Sequence, residues 1–371
     1  MKKSLIALAV AGAFAAPAFA ATENVDVYGK VHVSVSVFDN TFDSYTDPAT
    51  GKQYRGTSDL QFSSNASRIG FKGAEDLGGG LSAIWQIESG VNLDEGSGNW
   101  ASRNSFVGLK GGFGTAILGN HDTPLKLVGR AVDLFGDTMA DSRNVMGGGS
   151  DLRAKNTVAY ISPDFSGFSI AAAYTNDPAN QGTQINPFVL SGGLIDNKTP
   201  WDTGDQDSNG AYNVSGTYAN GPLYLGLAYG DGDFHQNNHL GAHIRGAAGY
   251  TFGNFKVVGQ YDNLAGDGTV AGVDVPDYSA WMLGGAYTMG NIVLKANYME
   301  GEVDCNGCAQ PKQYTVGADY NLSKRTTVYA LYAGTEDGVV LGSGAGSSDT
   351  IVSNDSNGDN AVLSLGMMHS F

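Results

Sequence analysis

Between Val25 and Val37 the sequence alternates almost without fault: the odd positions hold six valines and one glycine, the even positions Asp26, Tyr28, Lys30, His32, Ser34 and Ser36. Successive side chains of a strand point to opposite faces, so this pattern describes a strand with one apolar and one polar face. A half-exposed strand of a soluble sheet would read the same way. The architecture therefore has to come from how often the pattern recurs and how the repeats are joined.

It recurs at about 60–73, 80–91, 102–110, 114–120, 156–162, 167–175, 210–218, 222–230, 243–252, 254–262, 278–288, 290–299, 312–320, 325–334 and 360–371, which with 25–37 makes sixteen strands. The connections alternate in length. Short ones fall at 74–79, 111–113, 163–166, 219–221, 253, 289 and 321–324; long ones fall at 38–59, 92–101, 121–155, 176–209, 231–242, 263–277, 300–311 and 335–359. Both termini lie on the short-turn side. A secreted β-sandwich does not predict one-sided loop length, whereas a transmembrane barrel has short periplasmic turns and long outer loops. In lipid every backbone N–H and C=O must be paired internally, so such a sheet has to close. The expected fold is all-β: a 16-stranded antiparallel transmembrane β-barrel.

Composition agrees with this. After residue 20 no apolar run approaches the ~20 residues a membrane helix needs, although the chain holds 18 Tyr and 16 Phe. Glycine, at 54 of 371 residues, is about twice its usual share, and the 16% of charged residues falls well below the roughly 25% of soluble domains. Lys2 and Lys3, the apolar run 5–14 and Ala18-Phe19-Ala20 have the layout of a secretory signal peptide. Residues 1–20 are thus expected to be removed, leaving 21–371 as one barrel domain. The formal net charge of −16, which grows more negative once Lys2 and Lys3 leave, argues against nucleic acid as a partner. It also suggests a mild preference for cations.

The last strand is a second indication of a membrane wall. Counting back from Phe371, alternate residues are His369, Met367, Leu365, Leu363 and Ala361. A terminal aromatic on such a stripe suits an interfacial anchor.

Several short motifs stand in a telling order: Val27-Tyr28-Gly29-Lys30; Ser67-Arg68-Ile69-Gly70-Phe71-Lys72-Gly73 before Glu75-Asp76-Leu77-Gly78; Arg103-Asn104-Ser105-Phe106-Val107-Gly108-Leu109; Phe113-Gly114-Thr115 before Leu118-Gly119; Asn156-Thr157-Val158-Ala159-Tyr160 before Ser162-Pro163; and terminal Phe371. In these the chain resembles the general, trimeric, non-specific porins of the Gram-negative outer membrane, over most of its length. One departure is Asn120-His121 after Leu118-Gly119, where such porins often carry an arginine. The resemblance implies a homotrimer set among outer-membrane lipids and lipopolysaccharide. It implies a water-filled channel for passive diffusion of small hydrophilic solutes and ions, with no cofactor and no catalysis. It further implies that the third outer loop folds inward and narrows the channel, its acids facing basic wall residues.

The longest connection, 121–155, is the third long one and carries Asp133, Asp137 and Asp141, spaced by four, which would share one face of a helical turn. By family position Lys30, Arg68, Arg103 and Arg153 match the basic wall. Parity independently places Lys30 and Arg68 on the polar face, since a charge on the lipid face costs roughly 2–4 kcal/mol at the midplane. The expected site is a transverse field across a constriction, set against the plainer reading of solvated loop acids.

Other clusters leave alternatives open. Cys305-Asn306-Gly307-Cys308 reads as a local disulfide in an oxidising compartment, or as a lone C-x-x-C. His235, His239 and His243 recur every four residues and would align on a helix to hold a metal, but Gly241 and the next strand interrupt them. They read instead as solvated loop histidines, and no metal site is assigned. Asp202–Asp207 and Asp355–Asp359 resemble calcium-loop fragments that lack the closing Glu. Two rival functions share these observations: a substrate-selective channel for sugar or phosphate on the same barrel, and an outer-membrane lipid hydrolase, for which no G-x-S-x-G motif is present.

Overall fold

In the computed structural model the described residues are 25–40, 45–46, 53–54, 60–146, 151–176, 210–235, 238–266, 269–270, 273–274, 276–306, 308, 310–337, 339, 341 and 360–371. The proposed signal segment, the Asp202–Asp207 and Asp355–Asp359 fragments, and the side chains of His235 and His239 lie outside them.

The wall is a closed antiparallel barrel. Its strands are β1 (Asp26–Asn40), β2 (Leu60–Ser64 continued by Arg68–Gly78), β3 (Leu81–Asn92), β4 (Ser105–Gly111), β5 (Gly114–Asp122), β6 (Arg153–Ile161), β7 (Phe168–Thr175) and β8 (Ala211–Asn220). They continue as β9 (Leu223–His235), β10 (Asn238–Phe252), β11 (Phe255–Gly266), β12 (Tyr278–Met289), β13 (Ile292–Val303), β14 (Lys312–Asn321), β15 (Thr326–Glu336) and β16 (Asn360–Ser370). The hydrogen-bonded sheet contains 18 segments. Two of these form the interrupted β2, and the short flap Ser97–Asn99 pairs only with the end of β3, which leaves sixteen staves. Closure comes from β1 against β16, in register from Lys30↔Ser370 to Asn40↔Asn360.

Alternation decides which way each residue points. Val31, Val33 and Val37 face outward with Leu363, Leu365 and Met367 of the neighbouring β16, while His32, Ser34 and Ser36 are buried inside. The same outward set continues around the wall, with Leu118 57% exposed and Leu227 63% exposed. In water that apolar belt would be a liability; in hydrocarbon it is the favoured surface.

The interruption in β2 has a local cause. Lys30 pairs with Arg68 but Val33 pairs with Ser64, so one extra residue is fitted between the two ladders. It is absorbed around Ala66, whose φ is 49°, as Asn65 N–H donates to the His32 carbonyl at 2.9 Å. A bulge of this kind bends the strand and re-aims its side chains.

The fifth long connection is a correction. Residues 231–242 were expected as loop, but β9 and β10 keep pairing through Gly232↔Leu240 to His235↔Asn238, with two register irregularities on the way. Those irregularities break the sequence alternation without ending the ladder. The three histidines therefore sit on a hairpin rather than on a helix, and His243 is buried inside the wall. Farther along, Cys305 and Cys308 are joined by a disulfide across a tight turn with Cα atoms 5.6 Å apart.

A barrel has no core of its own unless something fills it. Here the filler is the connection between β5 and β6, hereafter loop 3, which carries α1 (Pro124–Arg130) and α2 (Arg143–Met146). Thr123 caps α1 by accepting from Lys126 N–H at 3.3 Å, with proline in the first turn. Leu125, Val128, Val132, Val145 and Met146 pack against Tyr224, Val258, Met282 and Met299 of the wall. Phe135 and Met139 pack with Phe38, Tyr329 and Leu331. Each fully buried side chain of this kind is worth roughly 1.5–3 kcal/mol. Wall glycines make room for them. A Cβ at Gly226 would come within 2.9 Å of Val128, one at Gly284 within 3.1 Å of Leu134 and one at Gly317 within 2.9 Å of Phe135.

Candidate functional site

Where loop 3 approaches the wall between β1 and β6, charged side chains meet. Tyr28 and Lys30 enter from the inward positions of β1. Lys30 Nζ lies 3.1 Å from Asp137 Oδ2, and Arg68 Nη1, from β2, lies 3.4 Å from the same oxygen. Asp137 has φ 61°, a left-handed conformation that asparagine and aspartate tolerate better than bulkier residues.

The three loop acids do converge, but not by helical spacing. No helix covers 131–142. Instead the turns wrap all three around Arg130, whose guanidinium pairs with Asp133 at 3.5 Å, with Asp141 at 2.6 Å and also with Asp137. Backbone donors complete the acids: Asp133 accepts from Phe135 N–H and Ser142 N–H, and Asp141 from Asp137 N–H and Arg143 N–H. Of the three, only Asp137 reaches the basic wall. Asp133 and Asp141 retain 1% and 0% of their side-chain surface, so they are inside the loop rather than on the channel face. Burial first, and then the neighbouring Asp141 carboxylate, pushes Asp133 up to about 6. Burial would raise Asp141 too, but Arg130 and Arg143 outweigh it and hold that acid below the usual range.

Arg103 and Arg153 stand in the same lumen but do not touch the loop acids. Arg103 Nε donates to Glu88 Oε1 at 2.6 Å, and Glu88 also accepts from Tyr28 OH at 3.0 Å. Arg153 donates to Asn104 at 2.7 Å and pairs with Asp122 at 3.0 Å; Lys126 of α1 meets that same carboxylate at 3.1 Å. Desolvation lowers Lys126 to about 7.

Sequence reasoning named these bases and Asp137, but not Glu88 and Asp122, which pair with Arg103 and Arg153, nor Arg130. Glu88 and Asp122 were legible in principle, since Glu88 shares inward parity with Gln86 on β3. Arg130 had no periodic signal at all. Taken together, the ion-paired network holds seven bases, Lys30, Arg68, Arg103, Lys126, Arg130, Arg143 and Arg153, against five acids, Glu88, Asp122, Asp133, Asp137 and Asp141. Except in the Lys126–Asp122 pair, at 9% and 14%, the base is also the more accessible partner. Arg68 and Arg130 keep 24% of their side-chain surface, against 9% for Glu88 and 11% for Asp137.

A closed barrel with an inward loop and a charged lumen is the shape of a channel. The sequence pattern of the family described as Gram-negative porin matches residues 7–338 of this chain. The chain belongs to the Gram-negative porins. Among relatives of this porin, the major outer membrane protein P.IB of Neisseria sicca is 33% identical over 350 residues, covering 88% of this chain and 92% of that protein. The outer membrane porin protein 32 of Delftia acidovorans is 32% identical over 358 residues, covering 90% of this chain and 89% of that one. Among solved structures, the anion-selective porin from Comamonas acidovorans superposes with a TM-score of 0.68 at 26% identity, over 94% of this chain and 99% of that one. The trimer form of OmpT from Vibrio cholerae, 16% identical with a TM-score of 0.62, shares the fold. This porin is a non-enzymatic channel of the outer membrane for passive diffusion.

Proposed function

We propose that loop 3 forms the neck of this channel against β1–β6 and that the neck favours anions. One observation carries the reading: the guanidinium and ammonium groups of the network outnumber the acids and, Lys126 aside, are more exposed than the acids they pair with. The acid excess of the whole chain, −16, points toward cations, but charges on outer loops are screened over about 8–10 Å at physiological salt. Ion choice is set at the narrowest place, where field lines concentrate. Asp137 balances Lys30 and Arg68 directly, while Arg103 and Arg153 continue the basic track along the wall. Small hydrophilic anions follow this track by diffusion, and neutral solutes are sorted by size.

The anion-selective Comamonas porin is consistent with this preference. We further propose that residues 1–20 direct export and that 21–371 form the mature domain. The mature chain assembles as a homotrimer among outer-membrane lipids and lipopolysaccharide, with the outward apolar belt serving both lipid and subunit contacts. The test is the reversal potential of single channels across a salt gradient in planar bilayers. Anion preference is expected, moving toward cations when Arg68, Arg103 and Arg153 are replaced by glutamine. A cation-selective wild-type channel would overturn the reading.

A further inference from the structure

Arg245 is an isolated charge on the inward face of β10 and lies far along the chain from loop 3. It is nevertheless among the most buried side chains, at 1% exposure. A guanidinium has five N–H donors in a rigid planar fork, and here every one of them is used. Nε donates to Asp262 Oδ1 at 2.8 Å and Nη2 to Asp262 Oδ2 at 2.5 Å, a bidentate pair with the neighbouring β11. The other three donors leave the wall. Nη1 donates to the Leu125 carbonyl at 3.3 Å and to the Asp151 carboxylate, and Nη2 donates to the Met146 carbonyl at 2.6 Å.

Those three acceptors are the two ends of loop 3. Leu125 lies in the first turn of α1, Met146 ends α2, and Asp151 lies just before β6. A single wall side chain thus joins the outgoing and returning limbs of the loop and fastens both to β10. The loop is shaped to accept it. A Cβ at Gly129, on the buried face of α1, would sit 2.6 Å from Arg245 Nη1 and 3.1 Å from Gln260 Oε1. Tyr224 and Tyr278 add single bonds to the Val128 and Val145 carbonyls, at 3.4 Å and 2.7 Å, but neither holds both limbs.

We infer that Arg245 is a positioning residue for permeation: it closes the base of loop 3 and so sets the width of the neck. This rests on the reading of loop 3 as the neck. Arg245 touches no permeant solute and acts through the loop it holds. Its fork, and not merely its charge, is required, because three loop acceptors and one wall carboxylate must be met from a single plane.

The experiment measures single-channel conductance and the size limit for neutral sugars in refolded protein, with barrel closure checked by heat-modifiable gel mobility. Arg245→Lys keeps the charge but loses the fork. The triple variant Arg245→Met, Asp151→Asn, Asp262→Asn removes the clamp without leaving buried carboxylates unmatched. Gly129→Leu crowds the guanidinium from the loop side and leaves the wall untouched, so it carries the test if a wall variant does not close. Each is expected to raise conductance by about twofold, with a larger size limit and a noisier open level, as a loosened constriction should. Asp137→Asn serves as the control for the neck itself. If it shifts the reversal potential while the closed Arg245 and Gly129 variants conduct and sieve like wild type, the clamp is refuted and the neck stands. If the control and the clamp variants all behave like wild type, the neck reading fails as well.

Discussion

Asp133 shows how much of the neck depends on one proton. It lies 3.5 Å from Arg130 with 1% of its side chain exposed, beside a second carboxylate, and holds its proton up to about pH 6. Its folded value is raised above that of an unfolded aspartate. Its contribution to stability is therefore complete below the unfolded carboxylate range and is lost as pH rises through about 6. A shift of this size corresponds to something on the order of 2–3 kcal/mol. Loop 3 should thus be quieter at pH 5 than at pH 7.5, read as open-channel current noise, and Asp133→Asn should abolish the difference while raising the thermal midpoint at neutral pH. Noise that depends on pH equally in both proteins would remove Asp133 from the account. At this scale the sequence was informative only where parity operates. Lys30 and Arg68 lie on strands whose alternation shows their direction. The partners of Asp133 and Asp141 are chosen by turns between 131 and 142, and turns have no period to read.

Among the elements, the strands were legible because each carries its own alternation, and the outward stripe of β16 is visible from Phe371 backward. The inward packing of loop 3 was not derivable from its own residues. Leu125, Val128, Val132 and Phe135 look like an ordinary amphipathic stretch, and what makes them a filling is the set of hollows at Gly226, Gly284 and Gly317 on three other strands. A second connection takes part. After β15 the chain places Val339 in the cluster that holds Val145 and Met146, and Leu341 in the cluster that holds Phe38, Met139 and Ala140; both are buried. The base of the eighth long connection therefore packs against loop 3 as well. Leu341→Asp puts a carboxylate into that apolar cluster and should lower the thermal midpoint with a loss of roughly 2–5 kcal/mol. Calorimetry that finds the variant as stable as wild type would show that this packing carries no weight.

For the molecule as a whole, the decisive contact is the seam between its two ends. Gly29 and Phe371 exchange backbone hydrogen bonds at 3.1 Å each, continuing the β1–β16 ladder by one pair. A Cβ on Gly29 would fall 2.4 Å from the Phe371 ring and 2.7 Å from the Arg68 carbonyl, so the ring seats where a side chain is missing. Gly29→Val should reduce the yield of heat-modifiable barrel several-fold on refolding, since a seam that cannot close leaves strand edges exposed to lipid. Refolding of that variant at the wild-type yield would show that the ring's seat is dispensable. Alternation and loop length together predicted the closed wall, but the glycine beneath the terminal ring becomes meaningful only once the first and last strands are known to be neighbours.

That seam also makes the protein its own inspector. The wall closes only when Phe371, far along the sequence, meets Gly29 of the first strand. A chain cut short before Ser370 lacks part of the edge that β1 must meet from Lys30 to Asn40. An incomplete product has no closed wall to offer the membrane, and so cannot become a leak. Closure is checked by geometry, at the same moment that the channel first exists.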